Sequence, residues 1–440
     1  MSTPFKGARP KLLTLSAGIA LLWTSSCGVE ELGYPPPSDA LYYPLGLAAH
    51  PDGRYLYVSS ASFDRLYNAS SLIAIDTFSA ELLPETSVEL GLFSGELAIA
   101  RPSCVASSTD EPCEGPVYAY ITSRDEHSLT ALSVDASAAN GAGHLNCGQE
   151  RASGGEARRC ASSSTLKLMG GAKMPQAPYG LHVSGDQLYM THVGDGSVSR
   201  WELPAEGDDA LPQFSCELTS GGAHSVTVSP STGQAFVSDR FGQRLQVIKT
   251  RELVEGGCRL SLDEPIQVTD KLISGEGRGV AMSADGSLVY LVSSFDGALR
   301  VYDVSRGSDG APRNALLAAI PVGRGANIVR VAGLRPGERR LGSPALGSAA
   351  QTVDERGGGL IYVSALEDGV VAVIDPQRLA LIARVKVGAS PHDIAFLPNE
   401  EGALRAFVTN FDAHSVSVID IEQGSAERFK VVGTIAGEEQ

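Results

Sequence analysis

Five side chains in the second half of the chain have the types to do chemistry together: His224, Arg278, Asn327, His392 and Asp393. Two imidazoles, a guanidinium, an amide and a carboxylate make a donor and acceptor set suited to a small polar or anionic ligand. Each sits just inside a short lead-in of the form Pro-x-x-apolar, or a Gly/Ala substitute of it, as in "APYGL", "AHSV", "GRGV" and "SPHDI". Copy by copy, the position after the Pro or its substitute is Leu45, Ser103, Tyr179, His224, Arg278, Asn327 and His392, with Ser225 and Asp393 next to two of them. A metal fits this set poorly, since two histidines from separate segments fall short of the three or four ligands an ion takes at about 2 Å. Neither a metal nor a cofactor is therefore expected.

Other chemistry is excluded by what is missing. No G-x-S-x-G elbow, HExxH helix, CxxC pair or CxxCH haem motif occurs. "GRGAN" and "GEGRG" are glycine-rich, but no helix follows to complete a phosphate cradle. His127 and His414 occupy the same polar joint, "DEHS" and "DAHS", where Asp and Ser are turn-makers that hydrogen-bond the backbone. His50 and His182 lie inside first strands and are expected to be packed. Asp76, Asp135, Asp375 and Asp420 recur at one strand end, which points to a building role rather than an active site.

The elements that must position the five residues come as a repeat. The order Pro-x-x-apolar, short strand, Pro/Gly/Asp turn, apolar strand, polar joint, apolar strand recurs seven times. It opens in 43–76, recurs in 115–135, 177–203, 223–249 and 277–304, then in 357–375 with a lead-in at 326–334, and ends in "SPHDIAFLPNEEGALRAFVTNFDAHSVSVID". Further apolar segments such as "LIARVKVG" and "FKVVGTIAG" supply a fourth strand. Turns such as "SADG" and "FDGA" carry residues suited to tight reversals. Inner strands such as "GVVAVID" are continuously apolar and β-branched, as in a sheet buried on both faces. Four antiparallel strands repeated radially predict an all-β, seven-bladed β-propeller over 41–440. The stretches 136–174 and 335–356 are expected as long surface loops within the second and sixth blades. Whether Leu41 and Tyr42 add a strand to the last blade is open at this level.

The strand ends "FVTN" (Phe407, Val408, Thr409, Asn410), "YVSS" and "YVSA" resemble those of YVTN-type β-propeller repeats, over nearly all of 43–437. WD40 propellers are a poorer likeness, because the Trp-Asp signature is missing. Propellers of related appearance include lactonases and subunits of periplasmic redox enzymes. The resemblance therefore implies an alternative function, an enzyme using Arg278, His224 and His392 at the channel mouth around an acidic sugar lactone or a quinone-like cofactor.

The ends and the composition place the chain outside the cytosol. Lys6, Arg9 and Lys11 precede an apolar run too short to span a bilayer, then small residues, which reads as a secretory signal over 1–26. "TSSC" resembles a bacterial lipobox with Cys27 as the lipidated residue, although Thr24 stands where Leu is favoured. Gly28 in place of Asp implies outer-membrane anchoring. Residues 27–40, with a Pro run, are expected as an extended linker. Six further cysteines make an even set in an exported chain, and proximity suggests Cys104–Cys113, Cys147–Cys160 and Cys216–Cys258. The formal charge of −16 argues against nucleic acid, which needs a Lys/Arg surface. The expected partners are a membrane, through an N-terminal lipid, and a protein or small molecule on the loop face. These features together predict a lipid-anchored binding module of the cell envelope rather than a catalyst. Polar residues that merely hydrate a wet channel mouth remain the plain reading of the five side chains.

Overall fold

A computed structural model of the chain describes residues 33–101, 115–138, 144–148, 158–167, 176–204, 211–229, 232–242, 244–251, 259–268, 276–332 and 359–436. Residues Gly33–Gln440 form one compact unit. The signal segment, Cys27, Cys104, Cys113, Cys258 and the 335–356 insertion lie outside the described residues.

The fold is an all-β propeller of seven blades, each built on antiparallel strands and holding four or five of them. Strands follow one another outward in sequence order, so every blade is a meander. Blades 1 to 7 begin with the inner strands Pro44–Ala49, Ser94–Ala100, Pro178–Ser184, Ala223–Ser229, Gly277–Met282, Ala326–Val331 and Pro391–Pro398. The reason for closure is visible in the packing. Seven apolar clusters form among the described residues, and each is shared by two neighbouring blades. A blade is therefore half of two cores, and its strands need apolar residues on both faces.

The ring closes without exchanging a strand. Blade 7 takes all four strands from Pro391–Pro398, Leu404–Asn410, Ser415–Asp420 and Lys430–Ala436. It meets blade 1 through a cluster that includes Phe407, Val416, Leu47, Leu56 and Ile73. Leu41 joins that cluster, and Tyr42 is buried with its ring 4.6 Å from Tyr67, so both residues pack at the seam rather than pair. The end of the expected linker also belongs to the fold: the Tyr34 N–H donates to Leu66 O and the Asn68 N–H to Tyr34 O.

The strand end that drew attention in the sequence is an inter-blade rivet. Ser59, Thr122, Thr191, Ser238, Ser364 and Thr409 occupy one slot in the second strand. From that slot Ser59, Thr122, Thr191, Ser238 and Thr409 donate to Gly95 O, Tyr179 O, His224 O, Arg278 O and Leu45 O on the next blade's inner strand. Most also accept an inner-strand N–H of their own blade, from Gly46, Gly180, Ser225, Ile328 or Asp393. Val292 fills the slot in blade 5 and can do neither. Glycine at Gly46, Gly180 and Gly279 lets inner strands approach, since a Cβ there would meet a neighbouring carbonyl at 2.7–2.8 Å.

The 136–174 insertion is more than a loop. Leu145–Asn146 and Thr165–Lys167 fill the outer position of blade 2, and Arg158–Arg159 adds a parallel fifth strand to blade 1. The Cys147–Cys160 disulfide ties these pieces together. His144 is fully buried, its Nε2 3.0 Å from the Tyr57 hydroxyl. The insertion's composition of Ala, Gly and Ser hid this, because its anchors are scattered: His144, Leu145, the disulfide, and Arg158 and Arg159, which reach Glu85 O and Glu89 on blade 1.

Candidate functional site

The polar residues found after the lead-ins converge on the propeller axis because every inner strand starts the same way. The residue before the strand is left-handed at Tyr43, Phe93, Ala177, Gly222, Gly325 and Ser390. A bulge follows over the first three positions of all seven inner strands, for example between Pro391 and Ile394. A bulge breaks the alternation of side chains and re-aims the extra residue. Here it aims Tyr179, His224, Arg278, Asn327 and His392 from five blades toward one another.

Contacts among them cross the axis. The Tyr179 ring stands 4.6 Å from the His224 ring, and its hydroxyl reaches to 3.5 Å from His392 Nε2, three blades away. Arg278 Nη1 lies 3.4 Å from His224 Nε2, and Nη2 of the same guanidinium pairs with Glu276. Arg240 also pairs with Glu276 at 3.4 Å, so two cations share one carboxylate on the side of blades 4 and 5. Asn327 is buried, and its Nδ2 has no hydrogen-bond partner among the described residues.

The opposite side carries two carboxylates that bond to the backbone of a neighbouring inner strand. Asp393 Oδ1 pairs with Arg330 Nη2 at 2.9 Å, and Oδ2 accepts the Leu47 N–H at 3.2 Å. Glu96 Oε2 accepts the Leu181 N–H at 3.1 Å, the same bond two ring positions further on. Both carboxylates thus join adjacent inner strands. Glu96 and Arg330 were not among the residues singled out in the sequence. Blade 2 starts at Ser94, so the slot assigned to Ser103 belongs to Gly95, and Ser103 lies outside the described residues. The signal was "SGELA" beside "PLGLA", a match in pattern that lacks the Pro. Arg330 sits deeper in its strand, three residues beyond Asn327, where an arginine reaches back to the axis.

Burial sets the protonation. His392 is drawn down to about 4, first by desolvation, with Arg330 and Arg278 adding to it and Asp393 opposing. His224 falls well below the usual histidine range, through desolvation and then Arg278, Arg240 and His392. Both rings are neutral at pH 7. Desolvation raises the Tyr179 hydroxyl, which stays protonated. Desolvation also lowers the Arg278 guanidinium, with Glu276 opposing. For Arg330 desolvation is outweighed by Asp393 and Glu96, and it is held above the usual range. The cluster is therefore dipolar, with neutral imidazoles and a phenol between a side with two arginines and one carboxylate and a side with two carboxylates and one arginine. No group of three or more His, Cys, Asp or Glu able to hold a metal occurs among the described residues.

The turn histidines behave as turn residues. His127 and His414 have φ of 48° and 49°, and His127 Nδ1 accepts the Ala177 N–H at 2.8 Å. Gly196, Gly297 and Gly369 take the same left-handed place in other blades. The recurrent aspartates also build structure: Asp76 pairs with Arg54, just before the neighbouring strand, and Asp420 with Arg405 on the neighbouring strand. Cys216 is disulfide-bonded, as expected, while its suggested partner Cys258 lies outside the described residues.

No family model and no curated protein sequence matches the chain. Solved structures do resemble it in fold. A provisionally assigned 6-phosphogluconolactonase from Bacteroides fragilis is 14% identical, with a TM-score of 0.56, over 88% of this chain and 97% of that one. The periplasmic gluconolactonase of Pseudomonas aeruginosa is 17% identical, with a TM-score of 0.53, over 80% and 88%. Hydrazine synthase from Kuenenia stuttgartiensis is 12% identical, with a TM-score of 0.54, over 88% and 97%. Identities this low establish the shared propeller and nothing finer.

Proposed function

We propose that the chain is an exported, lipid-anchored propeller of the YVTN repeat type that works as a binding module of the cell envelope. Its channel mouth takes a small, hydroxyl-bearing anion such as a sugar acid. The observation that carries this reading is the division of labour at the mouth. Arg278 and Arg240 share one carboxylate on one side, so a cationic excess remains there for an anion. Asp393 and Glu96 each accept an inter-strand N–H, and Asp393 also pairs with Arg330, so both carboxylates brace the ring. Neutral His224 and His392, the Tyr179 hydroxyl and the Asn327 amide supply donors and acceptors for hydroxyl groups. Lipidation at Cys27 and an outer-membrane location rest on the sequence alone.

The alternative is turnover of a sugar lactone at the same mouth, favoured by the fold shared with lactonase propellers. Thermal shift of residues 28–440 with sugar acids, sugar lactones and divalent metals separates the two. Binding at a hundred times Kd stabilises by about 2.7 kcal/mol, so sugar acids are expected to raise Tm and Arg278→Gln and His392→Ala to abolish the rise. Hydrolysis of a lactone lost in the same variants would favour the enzyme instead. The anchor is tested separately: Cys27→Ala is expected to release the protein from salt-washed membranes, and retention there would refute lipidation.

A further inference from the structure

The rim of the propeller at blades 7, 1 and 2 carries a continuous aromatic patch on the face where the inner strands begin. Phe63 lies 5.8 Å from Phe93 and 5.4 Å from Phe411, ring to ring. Tyr43 joins it, 6.1 Å from Phe63, 5.0 Å from Phe411 and 4.6 Å from His414. Phe63 is 55% exposed and Leu66, three residues on, is 39% exposed. Arg65 and Arg124 lie over the Phe93 ring at 5.4 and 5.2 Å, and Arg65 also pairs with Asp125. Scattered exposed apolar residues need no explanation, but a contiguous aromatic patch rimmed by polar groups marks an interaction site.

The chain itself indicates the occupant. The N-terminal segment reaches the fold at this rim, where Tyr34, 69% exposed, bonds to Leu66 and Asn68 beside the patch. Only five residues separate Cys27 from Gly33, a span of at most about 20 Å when fully extended. A compact unit of this size has a radius of gyration of about 22 Å. A lipid on Cys27 would therefore leave only the near side of the propeller able to touch the bilayer, and that side bears the aromatic rim. Aromatic rings suit the headgroup level, and arginine stems can lie along apolar surface with the charge in water.

We propose that the Phe63, Phe93, Phe411 and Tyr43 patch rests on the bilayer that holds the anchor, an inference that builds on the lipid-anchor reading. The lipid it fits is zwitterionic, since a chain of formal charge −16 gains nothing from an anionic surface.

The test uses residues 28–440, which contain the whole compact unit and lack Cys27. Flotation with phosphatidylcholine vesicles is expected to show weak partitioning, reduced at least about tenfold in Phe63→Ser/Phe411→Ser, a loss of two interfacial rings. Phe241→Ser is the control, because Phe241 is 71% exposed on blade 4, across the ring. Circular dichroism and Tm of each variant exclude unfolding. Absence of vesicle binding by the wild type, or equal loss in Phe241→Ser, would overturn the proposal. So would binding to native membranes that protease treatment of those membranes abolishes, which would assign the patch to a membrane protein. Release of Cys27→Ala from cells reports on the anchor alone, so the two readings fail separately.

Discussion

Thr409 holds the seam of the ring, and replacing it with valine isolates that role. The two side chains have nearly the same shape, so Thr409→Val opens no cavity. It removes the hydroxyl that donates to Leu45 O at 3.2 Å across the seam and accepts the Asp393 N–H at 2.8 Å. Thr409 is fully buried, so both backbone groups lose their partner where water cannot replace it. A buried polar group left unsatisfied costs about 1–3 kcal/mol, so the substitution should cost about 2–4 kcal/mol. With an unfolding entropy of about 2.1 cal/mol/K per residue, that is a fall of about 2–5 °C in Tm for a fold of this size. Urea denaturation of residues 28–440 can be followed through Trp201, which is buried with its indole N–H on Ser199 Oγ at 2.7 Å. The control is Thr130→Val, whose hydroxyl makes only a 3.4 Å contact to Thr165. The rivet account is refuted if Thr409→Val costs no more than the control.

The reverse change, Val292→Thr, puts a hydroxyl into the one vacant rivet slot and is expected to stabilise by about 1 kcal/mol in the same denaturation assay. Asp393→Ala leaves the Leu47 N–H without an acceptor and Arg330 without its carboxylate. The expected loss is about 3 kcal/mol, at the low end because the Arg330 side chain is 20% exposed. Stability should also fall in acid through histidine. His144, His192 and His392 are held at about 4, 3 and 4 in the fold by desolvation first, against about 6.5 unfolded. The unfolded chain binds more protons in that window, so stability is full above about pH 6.5 and is lost as pH falls toward 4. His144→Gln should flatten the slope by up to about 1.4 kcal/mol per pH unit, and an unchanged slope would show that His144 is not buried neutral. Removing Cys147–Cys160 as a Ser pair opens a loop of sequence separation 13. The expected cost is about 3 kcal/mol, read from denaturation midpoints.

The ring was legible because its repeat is chemical as well as statistical. The Val-Thr-Asn strand end is the rivet Thr409 followed by Asn410, whose amide donates to Ser415 and Ser417 Oγ and fastens the hairpin. That Tyr179, His224, Arg278 and His392 come together was legible from the lead-in alone, because position after a bulge decides where a side chain points. Glu96 was missed because blade 2 replaces the Pro lead-in with "FSGEL", and Arg330 because its length lets it act from a deeper position. The pairing of Asp393 with Arg330 and Leu47 was also beyond the sequence, since it links groups 63 and 346 residues apart in the chain. The insertion at 136–174 hid its strands because two-residue strands borrow their order from the blades they join.

Calorimetric titration of residues 28–440 with sugar acids, in wild type and in Arg278→Gln, tests the proposed role most directly. Saturable binding in the wild type, lost in Arg278→Gln while both proteins keep the same Tm without ligand, is the predicted result. Heat of binding that survives Arg278→Gln unchanged, or its absence from the wild type across the series, would contradict the assignment of the channel mouth as a binding site.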